Sequence, residues 1–293
     1  MTDVTGLRSN ANADGWLGLQ RAIERRPCAR AELITSSRPS EYRRNLQLAA
    51  DHHNDLVIAG SFLLSDAVVD AAHANPATRF VLVDPILVPA RQPNLAVLVF
   101  RDGEAVYLAG ALAAMVSRTG TIAGVYGPGG LIDRQNRIAF EAGAHEVGDL
   151  TPVLGAYQPP SEGQPYENPA WGAGQARLFL QDGADVILGV GGGTGRGAIE
   201  AADEAGRFCI AVDLEAPSYP ASASCLLAST HKFIDHEVEQ EVLVSIDGHW
   251  SAGDKQLGIA QGAVALNLSS SPAITPDIRA RLARLSSQIG QAR

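Results

Sequence analysis

The sequence predicts an α/β fold built from two Rossmann-like lobes, each a parallel sheet covered by helices on both faces. Three observations predict it. Short β-branched runs alternate with helical stretches along all 293 residues, the pattern of strands joined by helical crossovers. The alternation falls into two similar halves, with a joint near Phe100–Ala105. The unit from Ala184 to Asp213 is an apolar run, a glycine cluster, a helical stretch and a second apolar run tipped by a carboxylate. In open α/β sheets such tips line the crevice where small molecules bind.

The elements follow in order. Strands are predicted at Ala31–Thr35, Leu56–Ala59, Phe80–Asp84 and Leu95–Phe100, with helices at Gly15–Arg25, Pro39–His52 and Ser65–Ala74. The second half places strands at Thr121–Tyr126, Thr151–Ala156, Val186–Val190, Phe208–Val212, Cys225–Ser229 and Gly262–Leu268. Its helices are Ala105–Ser117, Gln135–Val147, Ala170–Gln181, Thr194–Ala205, Lys232–Asp247 and Pro276–Gln291. The expected lobes are 1–104 with about 230–250, and 105–229 with about 251–293, with a ligand cleft between them. The helix Lys232–Asp247 follows the second-half strands and is expected to return to the first lobe. A doubly wound lobe begins with a central strand, and here only Met1 to Val4 could serve. A trimmed N-terminus or an unusually short first strand is therefore expected.

Composition bounds the function. Hydrophobic residues make up 46% and charged residues 19%, as in a folded soluble protein. A net charge of −9 with no basic stripe argues against a nucleic-acid partner. No apolar run approaches the ~20 residues that span a bilayer, and the polar start has no signal-peptide core. Two placements stay open: extracytoplasmic, membrane-anchored or periplasmic if a leader has been removed, and cytoplasmic if Met1 is native. Cys28, Cys209 and Cys225 fit no metal spacing. Cys209 and Cys225 lie in apolar runs and read as buried thiols, so no disulfide framework is implied. His52-His53 and the pair His231 and His236 lack the spacing of a metal site.

The glycine cluster invites a dinucleotide reading, and the spacing rejects it. G-x-G-x-x-G places Thr194, Arg196 or Ala198 at the third glycine, depending on the start. No P-loop is present. No cofactor is expected. What the cluster offers is close backbone approach and a helix N-terminus, with Asp213 able to accept from vicinal hydroxyls.

Several segments in order resemble the basic membrane protein family of ABC-transporter substrate-binding proteins, the purine-nucleoside receptor (PnrA-like) lipoproteins. They are Thr2-Asp3-Val4 through Trp16-Leu17-Gly18-Leu19, Asp55-Leu56-Val57-Ile58 through Phe62-Leu63-Leu64-Ser65-Asp66-Ala67, and Glu104 with Tyr107-Leu108-Ala109-Gly110. Thr119-Gly120-Thr121-Ile122, the Ala184–Asp213 block, Ser229 with Lys232, and Gly248-His249-Trp250 with Gly253 complete the series. The resemblance implies a type I periplasmic-binding-protein fold, two lobes joined by a hinge that clamp a nucleoside or nucleobase, and an ABC permease as partner if the chain is exported. It further implies that Asp3 and Asn12 bind the base, Asp213 and Lys232 the ribose hydroxyls, and that Gly192 and Gly193 line the sugar side.

One loop departs from the family pattern. Thr5 to Asn12 is a residue shorter, its base-stacking position falls at Ala11, and the family's paired aspartates fall near Arg8 and Ser9. Trp16 and Phe62 are the candidate replacement aromatics. After Asp213 the family's Asp-Gln is replaced by Leu214-Glu215. Glu104 near the joint is read as a capping or hinge hydrogen-bonding group or a ligand contact, and Asp84 as a strand-tip acid or a turn former.

No G-x-S-x-G, no aspartate-rich N-terminal cluster and no acid–His pairing suggests catalysis. The expected function is binding without chemistry, for uptake. A leaderless cytosolic sensor of the same fold is the alternative, and a nucleoside-processing or NAD-dependent enzyme stands behind both.

Overall fold

The computed structural model describes residues 1–8, 10–148, 152–213 and 224–291. The chain groups into two compact units, Met1–Phe100 with Phe233–Leu257, and Arg101–Lys232 with Gly258–Arg293. It passes from one unit to the other at 100–101, 232–233 and 257–258.

In the first unit the helices and strands are α1 (Asn10–Arg25), α2 (Tyr42–Asp51), β1 (Leu56–Ala59), α3 (Ser65–Ala74), β2 (Arg79–Val83) and β3 (Leu95–Phe100). After the excursion into the second unit come α8 (Ile234–Ile246) and β9 (Gly253–Leu257). The sheet runs β1-β2-β3-β9 and is parallel throughout, with Leu56 opposite Arg79, Phe80 opposite Leu95 and Ala96 opposite Gly253. The inner strands are continuous apolar runs because helices cover both faces, and Phe80, Leu82 and Leu95 are buried among them. Ion pairs of Arg21 with Asp235, Arg25 with Glu239 and Arg26 with Asp247 run along the α1–α8 contact.

Two elements differ from the sequence reading. β9 is a strand without a single β-branched residue. It pairs only at the sheet edge, where Lys255 meets Glu241 and Asp254 meets Arg91, so its polar pattern is tolerated. Ala31–Thr35 forms no strand. Beside it the Thr2 amide donates to the Ile34 carbonyl at 3.0 Å.

The second unit holds α4 (Asp102–Val116), β4 (Ile122–Tyr126), α5 (Leu131–Val147), β5 (Val153–Tyr157), α6 (Pro169–Gln181), β6 (Val186–Val190), α7 (Gly192–Glu204), β7 (Phe208–Val212), β8 (Leu226–Lys232), β10 (Val264–Leu268) and α9 (Pro276–Gln291). Its sheet runs β10-β8-β7-β6-β4-β5, parallel except for β10 against β8. β4 and β6 are buried along their whole length. The order reverses at β4, which makes the C-terminal ends of β4 and β6 a switch point of the kind where α/β proteins bind ligands. β8 reaches Lys232, beyond the Ser229 expected, because β10 pairs antiparallel along it and sets Val264 opposite Lys232. The following helix accordingly begins at Ile234 rather than Lys232.

Cys209 and Cys225 are joined in a disulfide, which corrects the reading of two buried thiols. They lie 16 residues apart in sequence, a separation that carries no signal. Pairing of β7 with β8 brings their Cα atoms to 5.2 Å, within bridging distance.

Candidate functional site

The strands of each unit run parallel apart from β10, so the residues after their C-terminal ends collect at one sheet edge. In the first unit that edge carries Asp3 after Met1–Thr2, Ser61 and Phe62 after β1, and Asp84 after β2. Asp3 and Asn12 are buried and bound to each other, with Asn12 Nδ2 donating to Asp3 Oδ1 at 3.0 Å. The Thr5 amide donates to the same oxygen at 2.8 Å, and the Thr5 hydroxyl donates to it as well. Asn12 Nδ2 also reaches the Gly6 carbonyl at 3.0 Å. Burial pushes the Asp3 carboxyl upward, but donors from Ser61, Thr5 and Asn12 outweigh it and hold it below the usual carboxylate range.

The structure thus gives Asp3 and Asn12 a first task in shaping the 3–12 loop. Asn12 Oδ1 is buried without a hydrogen-bond partner. It lies 2.7 Å from where a Cβ on Gly60 would stand, so any larger residue at 60 would displace it. Of the two candidate aromatics, Phe62 is 43% exposed, next to the Ser61 that supports Asp3. Trp16 is half-buried on α1, one turn beyond Asn12. Ala11 is half-buried, while Ser9 lies outside the described residues.

In the second unit the edge carries Gly191–Gly193 after β6, Asp213 after β7 and Lys232 at the end of β8. β7 and β8 are neighbours, which places Lys232 Nζ 3.7 Å from Asp213 Oδ1. Asp102, in the first turn of α4, completes the cluster at 3.1 Å from Lys232. The Asp213 side chain keeps 35% exposure and that of Lys232 20%, open enough for a ligand to reach. Asp213 also adopts φ +52°, a left-handed backbone for a non-glycine residue, and Thr230 Oγ1 accepts its amide at 3.3 Å. Such strain is found at binding sites, where the surrounding structure over-determines it. Leu214 and Glu215 lie outside the described residues.

The glycine turn works differently from the sequence expectation of an open helix N-terminus. Gly191 has φ +65° and Gly192 φ +51°, and α7 starts at Gly192. The Thr194 amide, however, donates to the Tyr166 carbonyl at 3.0 Å. A Cβ on Gly192 would come within 2.4 Å of that oxygen. The loop after β5 therefore caps the helix from outside. The Tyr166 hydroxyl donates to Asp133 at 2.9 Å, whose carboxylate also takes the amides of Gly127, Gly129 and Gly130. Burial first, then the Asp133 and Asp213 charges, hold the Tyr166 phenol above its usual range.

Sequence reasoning missed Asp102, Tyr166, Thr5 and Ser61. Asp102 follows a strand and opens a helix, the same signal that singled out Lys232. Tyr166 stands in a loop whose contacts come only from the fold. Glu104 is buried in the second unit, where it accepts the Ile259 amide at 2.7 Å and pairs with Arg101 at 2.8 Å.

The fold is that of the type I periplasmic solute-binding proteins. A solute-binding protein of an ABC transporter system from Aeropyrum pernix K1 superposes with a TM-score of 0.77 at 20% identity, over 99% of this chain and 90% of its own. One from Conexibacter woesei gives 0.79 at 17%, over 100% and 96%. A transcriptional activator of the comK gene from Bacillus halodurans gives 0.81 at 17%, over 99% and 96%. At these identities the likeness is one of fold alone. The chain belongs to the PnrA-like ABC transporter substrate-binding family, whose model matches residues 9–289. It is 29% identical over 201 residues to basic membrane protein A1 of Borrelia garinii, covering 68% of this chain and 58% of the relative. It is 28% identical over 206 residues to the ABC transporter nucleoside-binding protein BmpA of Lactococcus lactis, covering 69% and 57%. The matches thus span less than two thirds of either relative.

Proposed function

We propose that this chain binds a nucleoside or nucleobase through strand-tip residues and delivers it to an ABC permease. The observation that carries this reading is Asp213. It is a strand-tip carboxylate held in a left-handed backbone, partly open and flanked by Lys232. A carboxylate beside an ammonium offers acceptors and donors to a pair of vicinal hydroxyls. The relative from Lactococcus lactis described as nucleoside-binding supports the ligand class.

The disulfide supports an extracytoplasmic placement, since such bonds persist in oxidising compartments. Among the described residues no helix is long and apolar enough to cross a membrane. Binding occurs without chemistry, as the substrate-binding family implies.

A thermal-shift screen over nucleosides, nucleobases and unrelated small metabolites tests the reading. The true ligand raises the melting temperature by mass action, and a screen in which only sugars or amino acids do so would refute the ligand class. Incubation with the ligand is expected to release no free base. Release at catalytic rates would replace a receptor with an enzyme.

A further inference from the structure

Three charged side chains meet at the strand-tip edge of the second unit, and their spacing is uneven. Lys232 Nζ donates to Asp102 Oδ2 at 3.1 Å, whereas Asp213 Oδ1 stands at 3.7 Å, beyond a hydrogen bond. The ammonium is thus drawn toward the less exposed acid, Asp102, and away from the acid at the tip. Rigid backbone sets each position. Asp213 ends β7 in a left-handed conformation, with its amide given to Thr230 Oγ1. Lys232 ends β8, where pairing with Val264 fixes its place. Asp102 opens α4, a helix buried at Ala105, Val106, Leu108 and Ala109 and packed against β8 and β10. A helix enclosed in this way cannot slide along its axis, so Asp102 is held where it is.

Two carboxylates competing for one ammonium have a chemical consequence. A lysine head rides on a flexible four-carbon stem. Without Asp102, that stem would carry the ammonium onto Asp213 and close a direct pair at about 2.8 Å. The pair would occupy the oxygen that a ligand hydroxyl needs, and a ligand would have to break it before binding. With Asp102 in place, the ammonium is satisfied from the other side. The three groups together carry two negative charges and one positive, and the surplus keeps Asp213 a strong acceptor at the tip.

We propose that Asp102 is a positioning residue of the binding site: it holds Lys232 off Asp213 and so keeps the Asp213 carboxylate available to hydroxyl donors. This role rests on the reading that Asp213 and Lys232 take a pair of vicinal hydroxyls. It carries a selectivity. A ligand with both hydroxyls gains most from an open carboxylate, so binding favours a ribonucleoside over its 2′-deoxy counterpart. Asp102 sets that margin by acting through Lys232.

The test is a double-mutant cycle of Asp102→Asn with Asp213→Ala, read by titration calorimetry. The probes are adenosine, guanosine, cytidine and uridine, each beside its 2′-deoxy counterpart. Asp102→Asn keeps the side-chain shape and removes the charge. It should weaken binding of the preferred ribonucleoside about tenfold and that of its 2′-deoxy form by no more than about twofold. Asp102→Glu, which returns the carboxylate, should recover most of the loss. In the Asp213→Ala background Asp102→Asn should have no further effect, because no acid remains to be kept open. A crystal structure of the unliganded Asp102→Asn protein should show Lys232 within hydrogen-bond distance of Asp213. Equal losses in the two backgrounds, or equal losses for both members of a nucleoside pair, would assign Asp102 a purely structural role and overturn the proposal. If Asp213→Ala weakens binding and Asp102→Asn does not, the proposal falls alone. If Asp213→Ala itself is without effect, the functional reading falls and takes the proposal with it.

Discussion

The two strand-tip clusters use the same residue type in opposite ways. Asp3 is buried, and its oxygens are spent on Thr5 and Asn12 of its own loop and on Ser61 after β1. Asp213 is a third exposed, and it lies beside Lys232, which also pairs with Asp102. The first cluster is shape fixed by neutral donors. The second is charge left within reach. The likeness of Asp213 is instead Asp84, the other strand-tip acid: each ends an apolar run opened by a Phe, and each has φ +52°. An aspartate that builds its loop should matter to stability, and one that stays open should matter to affinity.

The predictions test that division, beginning with the largest effect. Replacing Cys209 and Cys225 by serine removes a cross-link closing a loop of 16 residues. It should cost about 3 kcal/mol, a fall in melting temperature of roughly 6 to 12 °C, read by calorimetry. Affinity should stay within a factor of three, because the bridge lies below the tips. A large affinity loss would mean that the disulfide also positions Asp213. Asp213→Ala should weaken ligand binding by about 100-fold, or ~2.7 kcal/mol, with an unchanged or slightly raised melting temperature. Titration calorimetry decides it, and unchanged affinity would remove Asp213 from the site.

Asp3→Ala should show the converse, a stability loss of about 2 kcal/mol from donors left without their acceptor. Chemical denaturation measures this, and a variant of full stability would erase the contrast between the two acids. Because the Asp3 carboxyl is held below its ordinary range, its contribution is present at neutral pH and lost as pH falls through the lowered value.

Much of this was legible in the sequence, for reasons particular residues make plain. β1, β3, β6 and β7 match their expected spans because buried parallel strands are uninterrupted apolar runs with sharp ends. The pairing of Lys232 with Asp213 is consistent with the grouping that the family resemblance implied. β9 escaped because an edge strand can be polar. The disulfide escaped because only the pairing of β7 with β8 makes Cys209 and Cys225 neighbours. Tyr166 escaped because a residue that caps a helix from a distant loop leaves no periodic trace. The glycine offsets do not fit a dinucleotide fingerprint, yet they could not tell that the Tyr166 carbonyl would take the Thr194 amide.

Asp102 stands one residue past the first passage between units, and Lys232 is the last residue before the second. Their contact at 3.1 Å therefore staples two of the connecting segments at their roots. The same ammonium group thus faces the Asp213 tip and ties together the two ends of the stretch 102–232.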